Sequence, residues 1–280
     1  TAVMALRADA ECAALDCGEL TAQLNLVTGA LSWLACGQPL MREPDENGRV
    51  LREIGFTDVR VVPEQELTRE TAAGFKLIIL AGAFHVSDEL KRVLEEYVAA
   101  GGCVLADGEC GMYEADGTRR QDSVLAELLG CRFVMKLAKF ADADYGAYLL
   151  RDESSCFKLL PDTLPPLGRV QQAVRLTTGH GCGRIVPPCV GLTEHTWVNW
   201  WCPPPSEYAE EYPALVDNQV GAGRVMYAAF ELFEGVNAGL NLNRQLFAGI
   251  VDELLPAPAL HLTTGTPDSV SFAAYRAAIR

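Results

Sequence analysis

Residues 75–113 read FKLIILAGAFHVSDELKRVLEEYVAAGGCVLADGECGMY, and this stretch decides the fold class. Lys76–Leu80 is a short, mostly aliphatic run of the kind that forms a strand buried on both faces. Ser87 stands where a helix N-cap belongs, and apolar residues recur after it at helical spacing. Gly101 is a helix-terminating residue, and Cys103–Ala106 is the next buried run. The stretch therefore predicts one βαβ unit.

The carboxyl ends of the two predicted strands are the natural ligand-binding edge of such a unit, because α/β sheets bind ligands there. These ends are Gly82–His85 and Asp107–Gly111. The second end carries Glu109 and Cys110 in a sharp turn, a position where α/β folds often keep a nucleophile. Cys110, Glu109 and His85 are therefore the candidate catalytic residues.

Elements outside this unit follow from the same patterns. The remaining predicted strands are Ala2–Arg7, Asp58–Val62, Gln172–Leu176, Gly183–Val186 and a hairpin of Ala214–Asn218 with Arg224–Phe230. The remaining predicted helices cover residues 19–37, Ser123–Leu129 and Leu242–Leu255. We expect an α/β fold in which the strands near 2–7, 58–62, 76–80 and 103–106 share one mostly parallel sheet, with helices packed on it.

Composition excludes several classes of function. The chain has 280 residues, of which 49% are hydrophobic, so it can bury a large core. Lys and Arg total 23 against 37 Asp and Glu, a formal charge of −14. This charge argues against nucleic acid and anionic membranes as partners, because phosphates would be repelled. No run of apolar residues is long enough to predict a transmembrane helix.

The cysteines indicate a reducing, cytoplasmic location. There are ten, spread over the whole chain without a CxxC pair, and several lie in apolar surroundings where cysteine acts as a small hydrophobe. Thr1 opens directly on a strand pattern, with neither an initiator Met nor a signal peptide, and the far end stops without a polar tail. We therefore expect the chain to be a piece of a longer polypeptide.

Three segments carry a resemblance to a known family. They are residues 75–120, FKLIILAGAFHVSDELKRVLEEYVAAGGCVLADGECGMYEADGTRR, residues 159–170, LLPDTLPPLGRV, and residues 213–258, PALVDNQVGAGRVMYAAFELFEGVNAGLNLNRQLFAGIVDELLPAP. In order and spacing they resemble the glutamine-amidotransferase-like domain of family 42-type β-galactosidases, called the β-galactosidase trimerisation domain. Each motif is loose, and the order of the three is the specific part.

The resemblance implies a flavodoxin-like, class I glutamine amidotransferase-like fold, with helices on both faces of a mostly parallel sheet. It implies one domain over residues 1–256 and the start of a C-terminal β element over 257–280. The partners it implies are a preceding catalytic TIM barrel and neighbouring subunits of a homo-oligomer, such as a trimer, with carbohydrate as a candidate ligand. The implied role is oligomer assembly and active-site completion in a glycoside hydrolase, without catalysis or a cofactor in this chain.

Two other functions remain open: an amidotransferase or hydrolase with Cys110 as nucleophile, and a small-ligand site around Gly82 and Cys110. A catalytic thiolate needs a base within hydrogen-bond reach. Amidotransferases take it from a His-x-Glu near the chain's end, but the matching stretch here, residues 230–234, reads FELFE. Asp107 and Glu109 would raise the thiol pKa further. These features favour an inert turn, with His85 as the one nearby candidate base.

Two clusters lie in the second half of the chain. The residues that zinc could use are His180, Cys182, Cys189, His195 and Cys202. Their spacing matches no standard zinc motif, so no metal site is predicted. Trp197, Trp200 and Trp201 lie near Tyr208 and Tyr212, beside the proline-rich loop at 203–205. This aromatic cluster is either a small core under the loop, or a binding surface that contacts a subunit or a sugar.

Overall fold

The structure, a computed structural model, describes residues 2–7, 12–14, 60–62, 64–137, 147–167, 172–188, 205–207, 209–237 and 241–255. Its strands are β1 (Ala2–Arg7), β2 (Cys12–Ala14), β3 (Arg60–Val61), β4 (Phe75–Ala81), β5 (Cys103–Asp107), β6 (Cys131–Lys136), β7 (Ala147–Leu150), β8 (Pro166–Leu167), β9 (Gln172–Leu176), β10 (His180–Val186), β11 (Pro213–Val220) and β12 (Gly223–Ala228). Its α-helices are α1 (Arg69–Ala72), α2 (Asp88–Ala99), α3 (Ala126–Leu129), α4 (Leu232–Asn237) and α5 (Asn241–Leu254). Short 3-10 helices cover Glu64–Glu66 and Ser155–Phe157.

The described strands form a mixed sheet in the order β2-β3-β1-β4-β5-β12-β11-β10-β7-β8, and β6 pairs with β9 separately. Its centre is parallel, because β4 pairs with β5 and β5 pairs with β12 in the same direction. On one side β1 runs antiparallel to β4. On the other side β11, β10 and β7 continue in antiparallel pairs. The parallel part is therefore flanked by antiparallel strands.

The predicted α/β class and the βαβ unit are confirmed, but the finer layout is not. A mostly parallel, flavodoxin-like sheet with helices on both faces does not describe this arrangement, since β1 and most outer strands pair antiparallel. The physical reason is that a buried apolar run looks the same whichever way the strand runs. The predicted helix at 19–37 and the C-terminal β element at 257–280 lie outside the described residues, and the boundary at 256 remains a prediction.

Helix α2 holds the two parallel strands β4 and β5 in place. The Ser87 hydroxyl accepts a hydrogen bond from the Leu90 backbone N–H at 3.1 Å, the predicted N-cap, which stabilises a helix by about 1 kcal/mol. The buried face of the helix consists of Leu90, Val93, Leu94, Tyr97 and Val98, as the spacing predicts. The Tyr97 hydroxyl donates to the Phe75 carbonyl oxygen at 3.2 Å. This bond ties the end of α2 to the start of β4.

The predicted hairpin forms from β11 and β12. Its register ends at Val220 opposite Gly223, so the turn is Gly221-Ala222. Gly221 has a φ of 59°, the left-handed conformation that tight hairpin turns require. Because β12 also pairs with β5, the hairpin carries the sheet from its parallel centre to its antiparallel side.

Candidate functional site

Three strand ends meet at the edge predicted for the site. Since β4, β5 and β12 are parallel neighbours, their carboxyl ends lie side by side. The Gly108 N–H, just after β5, donates to the Ala228 carbonyl oxygen at 3.0 Å. The Gly111 N–H donates to the Ala83 carbonyl oxygen, just after β4, at 2.8 Å. The turn that carries Cys110 is thus bonded to both neighbouring strand ends.

Asp107 is the polar group that joins these ends. Its side chain is buried, and the residue is 4% exposed. One carboxylate oxygen, Oδ1, accepts a hydrogen bond from the Gly82 N–H at 3.2 Å. The other, Oδ2, accepts from the Phe233 N–H in the first turn of α4 at 3.0 Å. Backbone N–H donors of this kind stabilise a buried carboxylate, so Asp107 has a structural role that its sequence position did not reveal.

The turn after Asp107 is tight. Gly108 and Gly111 have φ values of 55° and 68°, which other residues rarely adopt. The Cys110 N–H donates to the Asp107 carbonyl oxygen at 3.2 Å. The Ser123 hydroxyl donates to the Cys110 carbonyl oxygen at 2.7 Å. The backbone of Cys110 is therefore held on both sides.

The Cys110 thiol is enclosed by the core, with 0% of the residue exposed. Burial raises the thiol pKa above its ordinary value, and the charge of Asp107 raises it further. In the described part of the chain, no hydrogen bond joins this thiol to a histidine. From the sequence we expected the carboxylates of Asp107 and Glu109 to raise this pKa, but burial is the larger cause. A buried, protonated thiol is a poor nucleophile.

His85 lies at the end of the neighbouring strand, as predicted. Its Nδ1 is 3.1 Å from the Tyr113 carbonyl oxygen, and the backbones of the two residues form an isolated β-bridge. One ring nitrogen is thereby engaged by the backbone of the same turn. His85 therefore helps to position the segment after Cys110.

Glu109 is the buried centre of a charge network with two half-buried cations. The residue is 1% exposed, and its Oε1 lies 3.0 Å from Nε of Arg119. Its Oε2 lies 2.7 Å from Nζ of Lys136 and accepts the Tyr113 hydroxyl at 3.1 Å. Burial and the Glu109 charge raise the pKa of Tyr113 to about 12, so the hydroxyl remains a donor. Both oxygens of this carboxylate are thus engaged within the protein.

The partners of Glu109 were not predicted. Arg119 follows it closely in the chain, but nothing in the local pattern shows which carboxylate it pairs with. Lys136 ends β6, a strand that no sequence pattern predicted. One sequence signal could have pointed to them: Glu109 follows closely after a buried strand. A carboxylate at such a position needs cationic or N–H partners.

Glu231 occupies the region where the amidotransferase resemblance would require a histidine. The residue is 8% exposed, and a Cβ built on Gly108 would lie 3.3 Å from its Cγ. An acidic side chain therefore packs against the turn of Cys110. The stretch FELFE thus lies beside the turn of Cys110 but contains no histidine that could act as a base.

Several predicted residues lie outside the described part of the chain. These are Trp197, Trp200, Trp201 and Tyr208 of the aromatic cluster, and Cys189, His195 and Cys202 of the cysteine–histidine group. Of the latter group, His180 is exposed and Cys182 is buried at the start of β10. Within the described ranges, no three His, Cys, Asp or Glu side chains are grouped to hold a metal ion.

None of the described helices is both long enough and apolar enough to cross a bilayer.

Comparison with known proteins gives a fold likeness. No protein-family profile matches the sequence, and no curated protein sequence matches it. Among solved structures, a β-galactosidase from Bacillus circulans sp. alkalophilus matches with a TM-score of 0.55 and 12% identity, over 82% of this chain and 30% of that chain. An α-L-fucosidase isoenzyme from Paenibacillus thiaminolyticus matches with a TM-score of 0.60 and 19% identity, over 78% of this chain and 30% of its own. The chain shares its fold with a segment of larger glycosidases.

The fold also occurs in shorter chains. A cytoplasmic protein from Salmonella typhimurium LT2 matches with a TM-score of 0.51 and 14% identity, over 75% of this chain and 86% of that one. In contrast, this chain spans less than a third of the glycosidase chains that it matches. At these identities the likeness concerns the fold, and it agrees with the glycosidase-associated domain that the sequence resembles.

Proposed function

We propose that this chain is a non-catalytic accessory domain of a β-galactosidase-like, glycoside-hydrolase-type protein, and that it acts in oligomer assembly and active-site completion. The observation that carries this proposal is the fold likeness to a segment that makes up 30% of a β-galactosidase chain and 30% of a fucosidase chain. The order of the sequence motifs points to the same family. Its partners are then a catalytic barrel of the same polypeptide and neighbouring subunits, arranged as a homo-oligomer such as a trimer.

The strand-end site supports a role without catalysis. Cys110 is enclosed and its pKa is raised, so little thiolate forms near neutral pH. Glu109 is engaged by two cations and a hydroxyl, and Asp107 by two backbone N–H groups. These side chains hold the turn together, which leaves them unavailable to a substrate. The amidotransferase alternative would need an accessible thiolate and an imidazole base.

The aromatic cluster is the proposed contact surface. Trp197, Trp200 and Trp201 are of the residue types that dominate interfaces and sugar-binding walls. A stable interface would bury at least ~1,000 Å² in total. In this proposal the cluster faces a neighbouring subunit or the sugar-binding cleft of the barrel.

The test uses the natural polypeptide that contains this chain. We expect it to hydrolyse nitrophenyl glycosides and to form an oligomer, as measured by light scattering. The double variant Trp200→Ala/Trp201→Ala should lower either the molar mass or kcat/KM, while its circular dichroism spectrum stays the same. Unchanged mass together with unchanged kcat/KM would remove both the assembly role and the sugar-wall role of the cluster.

The matched control is Cys110→Ser, which leaves the aromatic cluster intact. It should change neither the molar mass nor the glycosidase activity. A glutaminase or other amidase activity that is present in the natural protein and lost in Cys110→Ser would instead establish the Cys110 enzyme. If the natural polypeptide has no glycosidase activity because it lacks a catalytic barrel, the proposed parent protein is contradicted.

A further inference from the structure

A buried glutamine amide lies at the strand-end edge without a hydrogen bond to any described residue. Gln172, the first residue of β9, is 0% exposed. Within the described part of the chain, neither its Nε2 nor its Oε1 has a hydrogen-bond partner. Burying an amide in this way costs free energy, because its hydrogen bonds to water are lost and none replaces them. Buried polar side chains in folded proteins mostly have partners, so this one points to a ligand.

The register of the two-stranded ribbon that β6 and β9 form shows which way the amide faces. Gln172 lies directly opposite Lys136, and opposite residues of an antiparallel pair project from the same face. The Lys136 side chain reaches the strand-end turn, where its Nζ is 2.7 Å from Oε2 of Glu109. The Gln172 backbone N–H donates to the Ala229 carbonyl oxygen, just after β12, at 2.6 Å. The Gln172 side chain therefore faces the ends of β5 and β12.

The β6–β9 ribbon covers this edge without belonging to the main sheet. Its two strands pair with each other and with no other described strand. The Phe133 ring of β6 packs edge-on against Tyr227 of β12, with ring centroids 5.7 Å apart. The Lys136 side chain is 35% exposed, so solvent reaches the residue beside the amide. A small molecule that parts the ribbon from the strand ends would meet Gln172.

The charges at this edge favour an uncharged ligand. Arg119 and Lys136 are matched to Glu109. Asp107 accepts two backbone N–H groups. An ion would have to displace one of these interactions, whereas an uncharged molecule leaves them in place. The ligand is then selected by the hydrogen bonds of the Gln172 amide.

An amide recognises a donor beside an acceptor, because its oxygen accepts and its nitrogen donates. Neighbouring hydroxyl groups of a sugar match this pattern, since each hydroxyl can donate or accept. We propose that Gln172 binds a sugar through two neighbouring hydroxyls at the strand-end edge. The choice of a sugar over other uncharged donor–acceptor pairs rests on the proposed function. The unliganded protein gives up stability at Gln172, and the bound sugar restores it.

The test compares the 280-residue protein with Gln172→Met, in which an apolar side chain of similar length replaces the amide. Each protein is titrated with D-galactose, and its backbone amide resonances are followed by NMR. We expect the Kd to rise at least ~10-fold in Gln172→Met, the loss that one hydrogen bond produces. Without galactose, Gln172→Met should have a Tm equal to or above that of the wild type, because no unpaired amide is buried.

Two further variants complete the test. Gln219→Met makes the same change at an exposed position of β11 and should leave both the Kd and the Tm as in the wild type. Gln172→Asn keeps an amide but withdraws it by one methylene, so it should also weaken galactose binding, and it decides the matter if Gln172→Met does not fold. Equal galactose affinity in the wild type and the Gln172 variants would overturn the proposal, as would no binding or a lower Tm for Gln172→Met.

Two measurements separate this inference from the proposed function. Acetamide also offers a donor beside an acceptor, and Gln172-dependent binding of acetamide without galactose binding would overturn the assignment of a sugar. Glycosidase activity in the natural polypeptide, without Gln172-dependent galactose binding by this chain, would overturn this inference alone. Gln172-dependent galactose binding, together with a natural polypeptide that hydrolyses no glycoside, would contradict the proposed function and leave the site standing.

Discussion

The Asp107 carboxylate lies 3.0 Å from the backbone nitrogen of Phe233, so a strand end in the parallel centre of the sheet is bonded to the first turn of α4. The same carboxylate accepts the Gly82 N–H at the end of β4. One buried side chain thus joins three segments that are far apart in the chain. Loss of its charge should loosen the whole strand-end edge.

We expect Asp107→Asn to lower the free energy of unfolding by about 2–4 kcal/mol, because the amide keeps the size but turns one acceptor into a donor that faces an N–H group. Urea unfolding followed by circular dichroism measures this change. Asp162→Asn is the matched control, since its side chain is 97% exposed and pairs with Arg151 at the surface. The control should change stability by less than about 1 kcal/mol. Equal effects of the two substitutions would show that burial of Asp107 does not matter.

Loss of the Glu109 charge should cost more stability than loss of a carboxylate in a surface pair. Glu109→Gln removes the charge that Arg119 and Lys136 share, but these cations are 37% and 35% exposed and can be hydrated. We therefore expect a loss of about 1–3 kcal/mol, below that of a fully buried ion pair. Glu114→Gln breaks a more exposed pair with Arg120 and should cost less than about 1 kcal/mol. Denaturant titration measures the unfolding free energy of both variants. A larger loss for Glu114→Gln than for Glu109→Gln would contradict this expectation.

Burial of Cys110 predicts how stability depends on alkaline pH. Its thiol has a raised pKa in the folded protein, whereas the unfolded thiol titrates near its ordinary value of about 8.5. Below about pH 8 both states are protonated, so the contribution to stability is fully present. As pH rises further, the unfolded state loses its proton first, and stability falls by up to about 1.4 kcal/mol per pH unit.

In Cys110→Ala the unfolding free energy should therefore fall less steeply between about pH 9 and 11. Its slope should be smaller by up to about 1.4 kcal/mol per pH unit, the contribution of one proton. Only the slope is compared, because the small cavity shifts stability equally at every pH. Urea titrations at several pH values measure it for both proteins. Parallel slopes would mean that Cys110 is accessible and titrates normally in the folded state.

At Gly249 in α5, we expect Gly→Ala to lower stability, although helix propensity alone would raise it. In an open helix position, Gly→Ala stabilises by roughly 1 kcal/mol. Here the added Cβ would overlap the Cys156 carbonyl oxygen, so we expect Gly249→Ala to destabilise by about 1–3 kcal/mol. Gly74→Ala is the control, because its Cβ would meet the Thr71 carbonyl oxygen at 3.3 Å, a contact that a small shift relieves. A gain in Tm for Gly249→Ala would show that α5 does not press on Cys156.

Local patterns were enough to predict the βαβ unit and the hairpin. Ser87, the apolar face of α2 and Gly101 act within a few residues of one another, so spacing alone reveals the helix. The same holds for β11 and β12, which are joined by a turn that requires glycine. These signals come from hydrogen bonds and burial within one segment, and a sequence displays such signals directly.

Contacts between distant segments decided the rest. The antiparallel pairing of β1 with β4 is invisible in an apolar run, because burial does not record strand direction. Lys136 reaches Glu109 only because separate elements pack together. No local pattern encodes such a pair, since its energy arises from desolvation and hydrogen bonding after the chain has folded. Packing between distant segments therefore decided the strand-end site, where Arg119 and Lys136 surround the Glu109 carboxylate and burial raises the pKa of the Cys110 thiol.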